Sequence, residues 1–167
     1  MRTVLLALGS NMGERMEHMR AAWQTLAGKV TIRAVSRIYE TDPLYLPDQP
    51  AFLNMAIRGA TYLSPEELLM FIKQSERDLG RTPSVRFGPR VIDIDIVDYD
   101  GQRLQRPDLV IPHPRVHERA FVLQPLADIA PHWRHPHNGQ TALQLLHTLP
   151  EKHGIRPYAE ESIKPYA

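Results

Sequence analysis

The sequence predicts an α+β fold: a mainly antiparallel sheet with helices packed on it, built on a ferredoxin-like βαββαβ core with helical segments after it. Three observations carry that expectation. Stretches of strand character at residues 3–8, 30–40, 52–61 and 92–97 are interrupted by helical periodicity at 13–27 and again from 64 to 79. The order of these stretches reads β-α-β-β-α-β. And 167 residues, 43% of them hydrophobic, suffice for one domain with a real core but are cramped for two.

The elements follow in order. Residues 3–8 form an apolar run that stops at Gly9-Ser10-Asn11. Met16, Met19, Trp23 and Leu26 recur at helical spacing, and Gly28 ends that helix. Residues 30–40 alternate as a strand whose register shifts near Ser36, and residues 41–50 hold three prolines, which suit a loop of restricted shape. Residues 52–61 form a third strand. Ser64 then caps a helix with Pro65 in its first position and Glu66 and Glu67 in its first turn, a capping-box pattern. Leu68, Leu69, Ile72 and Leu79 make its apolar stripe, and Gly80 stops it. A polar loop at 81–89 leads to the last core strand, which ends in the turn Tyr99-Asp100-Gly101. Helical segments at 117–129 and 141–149 complete one domain over residues 1–150. Residues 151–167 read as a loosely held tail.

Composition narrows the function. The formal net charge of +1 offers no global attraction to nucleic acid or membrane, so anion binding has to be local. No cysteine is present, which removes disulfides, thiolate zinc sites and thiol nucleophiles. The apolar run at 3–8 is too short for a signal peptide, and nothing approaches a membrane span. The expectation is a cytoplasmic monomer that binds neither nucleic acid nor membrane.

The chemistry concentrates in Gly88-Pro89-Arg90-Val91-Ile92-Asp93-Ile94-Asp95-Ile96. Alternation on a strand projects Asp93 and Asp95 from one face, roughly 7 Å apart. Two such hard oxygen donors suit Mg²⁺, which fills its shell with water and substrate phosphates. Taken alone, Asp-x-Asp is also the pattern of a solvated sheet face. Its surroundings favour the metal: residues 77–119 hold eight of the sixteen arginines and none of the four lysines, and Arg grips phosphate bidentately.

Gly9-Ser10-Asn11 reads as a strand-to-helix turn in which Ser10 or Asn11 caps the helix; it lacks the lysine and spacing of a P-loop. In residues 111–123, two prolines flank His113 and fix its backbone, while Arg115 and Arg119 share a face at helical spacing. The triplet His132, His135 and His137 sits among Pro, Asn and Gly, which favours an exposed loop over a metal site.

These residues resemble the 6-hydroxymethyl-7,8-dihydropterin pyrophosphokinases of folate biosynthesis. The resemblance runs from Leu8 to about Leu149. It is carried by Leu8-Gly9-Ser10-Asn11, Asp48-Gln49-Pro50-x-Phe52-Leu53-Asn54, Glu76-x-x-x-Gly80-Arg81, Arg86-Phe87-Gly88-Pro89-Arg90 with the Asp93-x-Asp95 strand, and Pro112-His113-Pro114-Arg115-x-x-x-Arg119-x-Phe121. It implies transfer of a pyrophosphoryl group from ATP to the pterin hydroxymethyl group, releasing AMP. By resemblance Asp93 and Asp95 hold two Mg²⁺ ions with ATP. Glu76, Arg81, Arg86, Arg90, His113 and Arg119 belong to the nucleotide side, with Arg81, Arg90 and Asp95 catalytic. Gly9, Thr41, Asp42, Leu44, Phe52, Asn54 and Phe121 belong to the pterin side, Phe52 and Phe121 as an aromatic sandwich. Departures are Phe52 in place of a Tyr, Phe87 in place of a Trp, Asp42 where Pro can stand, and Asp108 where a basic ATP contact can occur.

Two other readings predict different ligands. A nucleotidyl- or glycosyltransferase using Asp93-x-Asp95 requires a sugar or nucleic-acid acceptor. A ferredoxin-like RNA-binding module requires strand aromatics and positive charge that this chain lacks.

Overall fold

The computed structural model describes residues 1–150 and 154–158. The strands are β1 (Arg2–Ser10), β2 (Thr31–Val35), β3 (Tyr39–Thr41), β4 (Phe52–Thr61), β5 (Asp93–Tyr99), β6 (Leu104–Arg106), β7 (Leu109–Ile111) and β8 (Ile155–Pro157). Helix α1 (Arg15–Leu26) follows β1, α2 (Pro65–Asp78) follows β4, and α3 (Ala120–Ile129) and α4 (Ala142–Thr148) come after a 3₁₀ turn, Val116–Glu118. The main sheet has the order β5-β1-β4-β3-β8, with β2 also on β4, and every pairing in it is antiparallel. The α+β class, the ferredoxin-like core order and the boundaries of β4 and α2 agree with the sequence reading.

The strand expected at 30–40 is split. β2 pairs with the far half of β4 and β3 with its Phe52–Asn54 half. The break falls at Ser36, whose Oγ accepts the Ala56 N–H at 2.8 Å while its own N–H donates to Ala56 O at 3.0 Å. Ser36 thereby keeps the ladder satisfied across the bend.

Helices cover both faces of the sheet. Val4, Leu6 and Leu8 of β1 pack with Met19 and Leu26 of α1 and Leu68 and Ile72 of α2. Leu5 and Ala7, on the opposite face, pack with Leu123 and Leu126 of α3 and Leu145 and Leu146 of α4. The two core helices, α1 and α2, thus share one face, and the later pair, α3 and α4, covers the other. Burial on both sides is also why β1 reads as a continuous apolar run rather than an alternating one.

Ser64 Oγ accepts the Glu67 N–H at 3.2 Å, but the reciprocal capping box forms at α4, where Thr141 and Gln144 exchange bonds of 3.1 and 2.9 Å. The hairpin β6–β7 has no counterpart in the sequence reading; at three residues, each strand is too short to carry a period. Where a loose tail is expected, β8 pairs with β3, Arg156 bridges Glu40 and Asp42, and Tyr158 packs on the core. The rest of that tail, 151–153 and 159–167, lies outside the described residues. No helix among the described residues is long and apolar enough to cross a membrane.

Candidate functional site

Strand register assembles the site. Asp93 stands opposite Gly9, and Gly9 opposite Asn54, so these residues form one row across β5, β1 and β4. The next row is Asp95, Ala7 and Ala56. Residues in one row share a face. Two small residues, Ala7 and Gly9, therefore floor a hollow between two carboxylates and an amide. A Cβ on Gly9 would come within 2.9 Å of Asn54 Oδ1, so this position is held open by the absence of a side chain.

The hollow is part of a cavity of about 530 Å³ that wraps the free edge of β5. All fifteen residues singled out from the sequence line it: Gly9, Thr41, Asp42, Leu44, Phe52, Asn54, Glu76, Arg81, Arg86, Arg90, Asp93, Asp95, His113, Arg119 and Phe121. Its two ends differ in chemistry.

At the charged end, Asp93 is gripped on both oxygens, by Arg81 Nη1 at 2.9 Å and Arg90 Nη1 at 3.1 Å. Arg81 also pairs with Glu76, whose Oε2 accepts the Ile94 N–H at 2.9 Å. Burial pushes Glu76 above the usual carboxylate range, against the pull of that N–H and of Arg81. Asp95 has no hydrogen bond or ion pair among the described residues. Burial, then the Asp93 charge beside it, pushes its carboxyl up to about 7, with Arg119 opposing. His113 is pushed down to about 4 by burial and by the Arg119 charge. Its Nδ1 accepts the Arg115 N–H at 3.2 Å, which leaves the ring proton of the neutral form on Nε2 as a donor.

At the neutral end, Asn54 Nδ2 donates to Thr41 Oγ1 at 2.6 Å, which orients the amide. Phe52 and Phe121 are both half-buried on the cavity wall and make no ring contact with each other. Asp42 accepts from Arg156 at 3.2 Å, and its N–H donates to Gly154 O at 2.8 Å.

The donor set can be tested against a metal. Two hard carboxylates 2 residues apart, one of them without a protein cation, fit an ion that takes most of its ligands from water and phosphate, as Mg²⁺ does. Among the described residues no group of three or more His, Cys, Asp or Glu is placed to hold a metal. A wholly protein-made metal cage is thus absent from the described residues, and Mg²⁺ does not need one.

Three residues escaped the sequence-based assignment. Asn11 does not cap α1, whose N-cap Glu14 makes no side-chain bond. Asn11 instead ties two loops together: its Oδ1 accepts the Arg90 N–H at 2.8 Å, and its Nδ2 donates to Pro50 O at 3.0 Å and Gln49 Oε1 at 2.9 Å. Gln49 in turn donates to Phe87 O at 2.8 Å. Tyr45 stacks on Phe87 and receives Arg119. The Asp48-Gln49-Pro50 motif was a signal for Gln49; Tyr45 had none, because its partners lie far along the chain. Of the histidine triplet, His132 and His137 are exposed, as expected of a loop, but His135 is buried beside Trp133 and within 6.1 Å of the His117 ring.

A family model described as 7,8-dihydro-6-hydroxymethylpterin-pyrophosphokinase matches residues 5–131. Over 126 residues the chain is 48% identical to the 2-amino-4-hydroxy-6-hydroxymethyldihydropteridine pyrophosphokinase of Bacillus subtilis, covering 74% of this chain and 75% of that one. It is 47% identical over 127 residues to the mitochondrial folate synthesis bifunctional protein of Arabidopsis thaliana, covering 75% of this chain and 23% of that protein. The chain thus spans under a quarter of that relative's length. The crystal structure of wild-type Plasmodium falciparum HPPK-DHPS aligns with a TM-score of 0.71 at 16% identity, over 87% of this chain and 44% of the other, a likeness of fold.

Proposed function

The chain belongs to the 7,8-dihydro-6-hydroxymethylpterin-pyrophosphokinase family, and from that premise we propose that it transfers a pyrophosphoryl group from ATP to the hydroxymethyl group of 6-hydroxymethyl-7,8-dihydropterin, releasing AMP, as a step of folate biosynthesis. The observation that carries the proposal is one cavity with a charged end around Asp93 and Asp95 and a neutral, amide-edged end around Asn54. One end suits a triphosphate and the other a flat heterocycle.

Asp93 and Asp95 would hold two Mg²⁺ ions, which would spread the charge of the triphosphate and draw electron density from the phosphorus under attack. Arg81, Arg90 and Arg119 supply positive charge where negative charge develops on the transferring group. His113, neutral at pH 7, donates from Nε2 to a phosphate oxygen. Glu76 fixes Arg81 and takes part on the nucleotide side with Arg86. The pterin edge, a row of donors and acceptors, meets Asn54 and the backbone about Gly9 and Thr41. Phe52 and Phe121 stand apart as two faces between which a ring can stack, with Asp42 and Leu44 at the rim. Aligning the hydroxyl with the β-phosphorus supplies about 7–11 kcal/mol of the barrier reduction, and needs no covalent nucleophile. The accompanying proposal is a cytoplasmic monomer with no affinity for nucleic acid.

The test is nucleotide turnover with ATP and Mg²⁺, with and without the pterin. AMP that forms only with the pterin present, and stops on adding a chelator, is the expected result. ADP, or AMP formed without pterin, would overturn the proposal.

A further inference from the structure

Tyr45, in the loop between β3 and β4, belongs to none of the motifs quoted above, yet two other segments of the site converge on it. Its ring stacks on Phe87, from the loop between α2 and β5, with centroids 4.5 Å apart and planes tilted by 31°. The Arg115 guanidinium lies 4.4 Å from the ring centre and the Arg119 guanidinium 5.3 Å. The Tyr45 hydroxyl accepts the Arg119 Nε–H at 3.2 Å.

The two arginines are held differently. Arg115 is paired with Glu118, which neutralises it. Arg119 has no carboxylate partner among the described residues. It is oriented by neutral groups, the Tyr45 hydroxyl and the faces of Tyr45 and Phe121, the latter at 5.5 Å. A carboxylate in that role would quench the charge and compete with an incoming phosphate. An aromatic face and a hydroxyl fix the guanidinium plane while leaving the charge and the terminal N–H groups for an anion.

We infer that Tyr45 is a positioning residue for the nucleotide half of the site: its hydroxyl and ring hold Arg119 with its terminal nitrogens free to meet the triphosphate. This rests on the function proposed above. It differs from a general packing role, because it acts through one named side chain.

The test is a double-mutant cycle on the full chain, read by AMP release and by thermal melting. Tyr45→Ala lowers kcat/KM for ATP about tenfold, the scale of one oriented hydrogen bond plus one cation–π contact, and leaves the KM for pterin unchanged. Tyr45→Phe, which keeps the ring and loses the hydroxyl, falls between Tyr45→Ala and the parent. On an Arg119→Ala background, removing Tyr45 costs nothing further. Additive losses in the cycle, or an equal rise in KM for both substrates, would overturn the inference. Should Tyr45→Ala melt early, Tyr45→Phe alone and in the cycle decides the matter. Parent protein that makes no pterin-dependent AMP defeats the proposed function instead, so the two failures are distinguishable.

Discussion

The two ends of the cavity are built on opposite principles. At the charged end, cations and anions crowd together and one carboxylate is left over: Asp93 is held by two arginines, while Asp95, beside it on the same strand, has no such partner. At the neutral end the polar groups satisfy one another, Asn54 with Thr41, and the walls are rings and a glycine. The charged end is frustrated without a further cation, and the neutral end is content when empty. A deliberately unsatisfied electrostatic arrangement marks where charge is to arrive. A satisfied and hollow one marks where shape is to be read.

Breaking the charged end should have the largest effect. Asp95→Ala removes the oxygen donor proposed to bind metal but no apolar packing. We expect turnover to fall by about a thousandfold or more with no loss of melting temperature; near-normal AMP release would remove Asp95 from the proposed metal site. Asp95→Asn should also be inactive and should melt higher than the parent at neutral pH, because it relieves a half-buried charge facing Asp93. An unchanged or lower melting temperature would count against that repulsion.

Breaking the neutral end should be milder and selective. Phe121→Ala loses one stacking face, so pterin affinity should drop by roughly tenfold, about 1.4 kcal/mol, with little change for ATP. Titrating each ligand separately checks this. Equal losses would mean that the two ends are not independent.

His113 sharpens the comparison through pH. Its folded-state pKa of about 4 lies below its ordinary value of 6.5. The folded state therefore binds fewer protons than the unfolded one between those values. The stability His113 contributes is present above pH 6.5 and is lost as the pH falls through about 4. Melting curves of His113→Gln should lose part of the parent's acid sensitivity in that window, about 3 kcal/mol at the most acidic end. A parallel pH profile for the two proteins would show that the ring is not held neutral by its surroundings. The smallest effect is expected at Arg156, whose pairs with Glu40 and Asp42 are exposed to solvent. Arg156→Ala should cost less than about 1 kcal/mol in stability, since exposed ion pairs are worth little; a larger loss in a denaturant titration would show that β8 depends on that one side chain.

Much of this was legible in the chain. The cap at Ser64, the alternation at 92–96 and the stop at Gly80 are local signals, and the helix and strand they announce form where expected. The residues that line the cavity were legible because their types cluster in short motifs. Other signals misled. Asn11 has the chemistry of a helix cap, and nothing local distinguishes that role from its bonds to Arg90 and Pro50. The proline- and glycine-bearing tail looks unstructured by composition, yet residues 155–157 complete the edge of the sheet by backbone pairing, which almost any composition can make. His135 sits among turn-forming neighbours and is nonetheless buried.

By itself, then, the sequence determined the order and type of the core elements, the two carboxylates on one strand face, and the supply of arginines around them. Periodicity, caps and side-chain chemistry act within a few residues. The tertiary structure alone decided which carboxylate is paired and which is free, that Gly9 lies between Asp93 and Asn54, and that Tyr45 carries Arg119, 74 residues away. Those outcomes depend on strand register and on loops meeting across the fold, where the free energy belongs to pairs of distant residues and neither partner announces it alone.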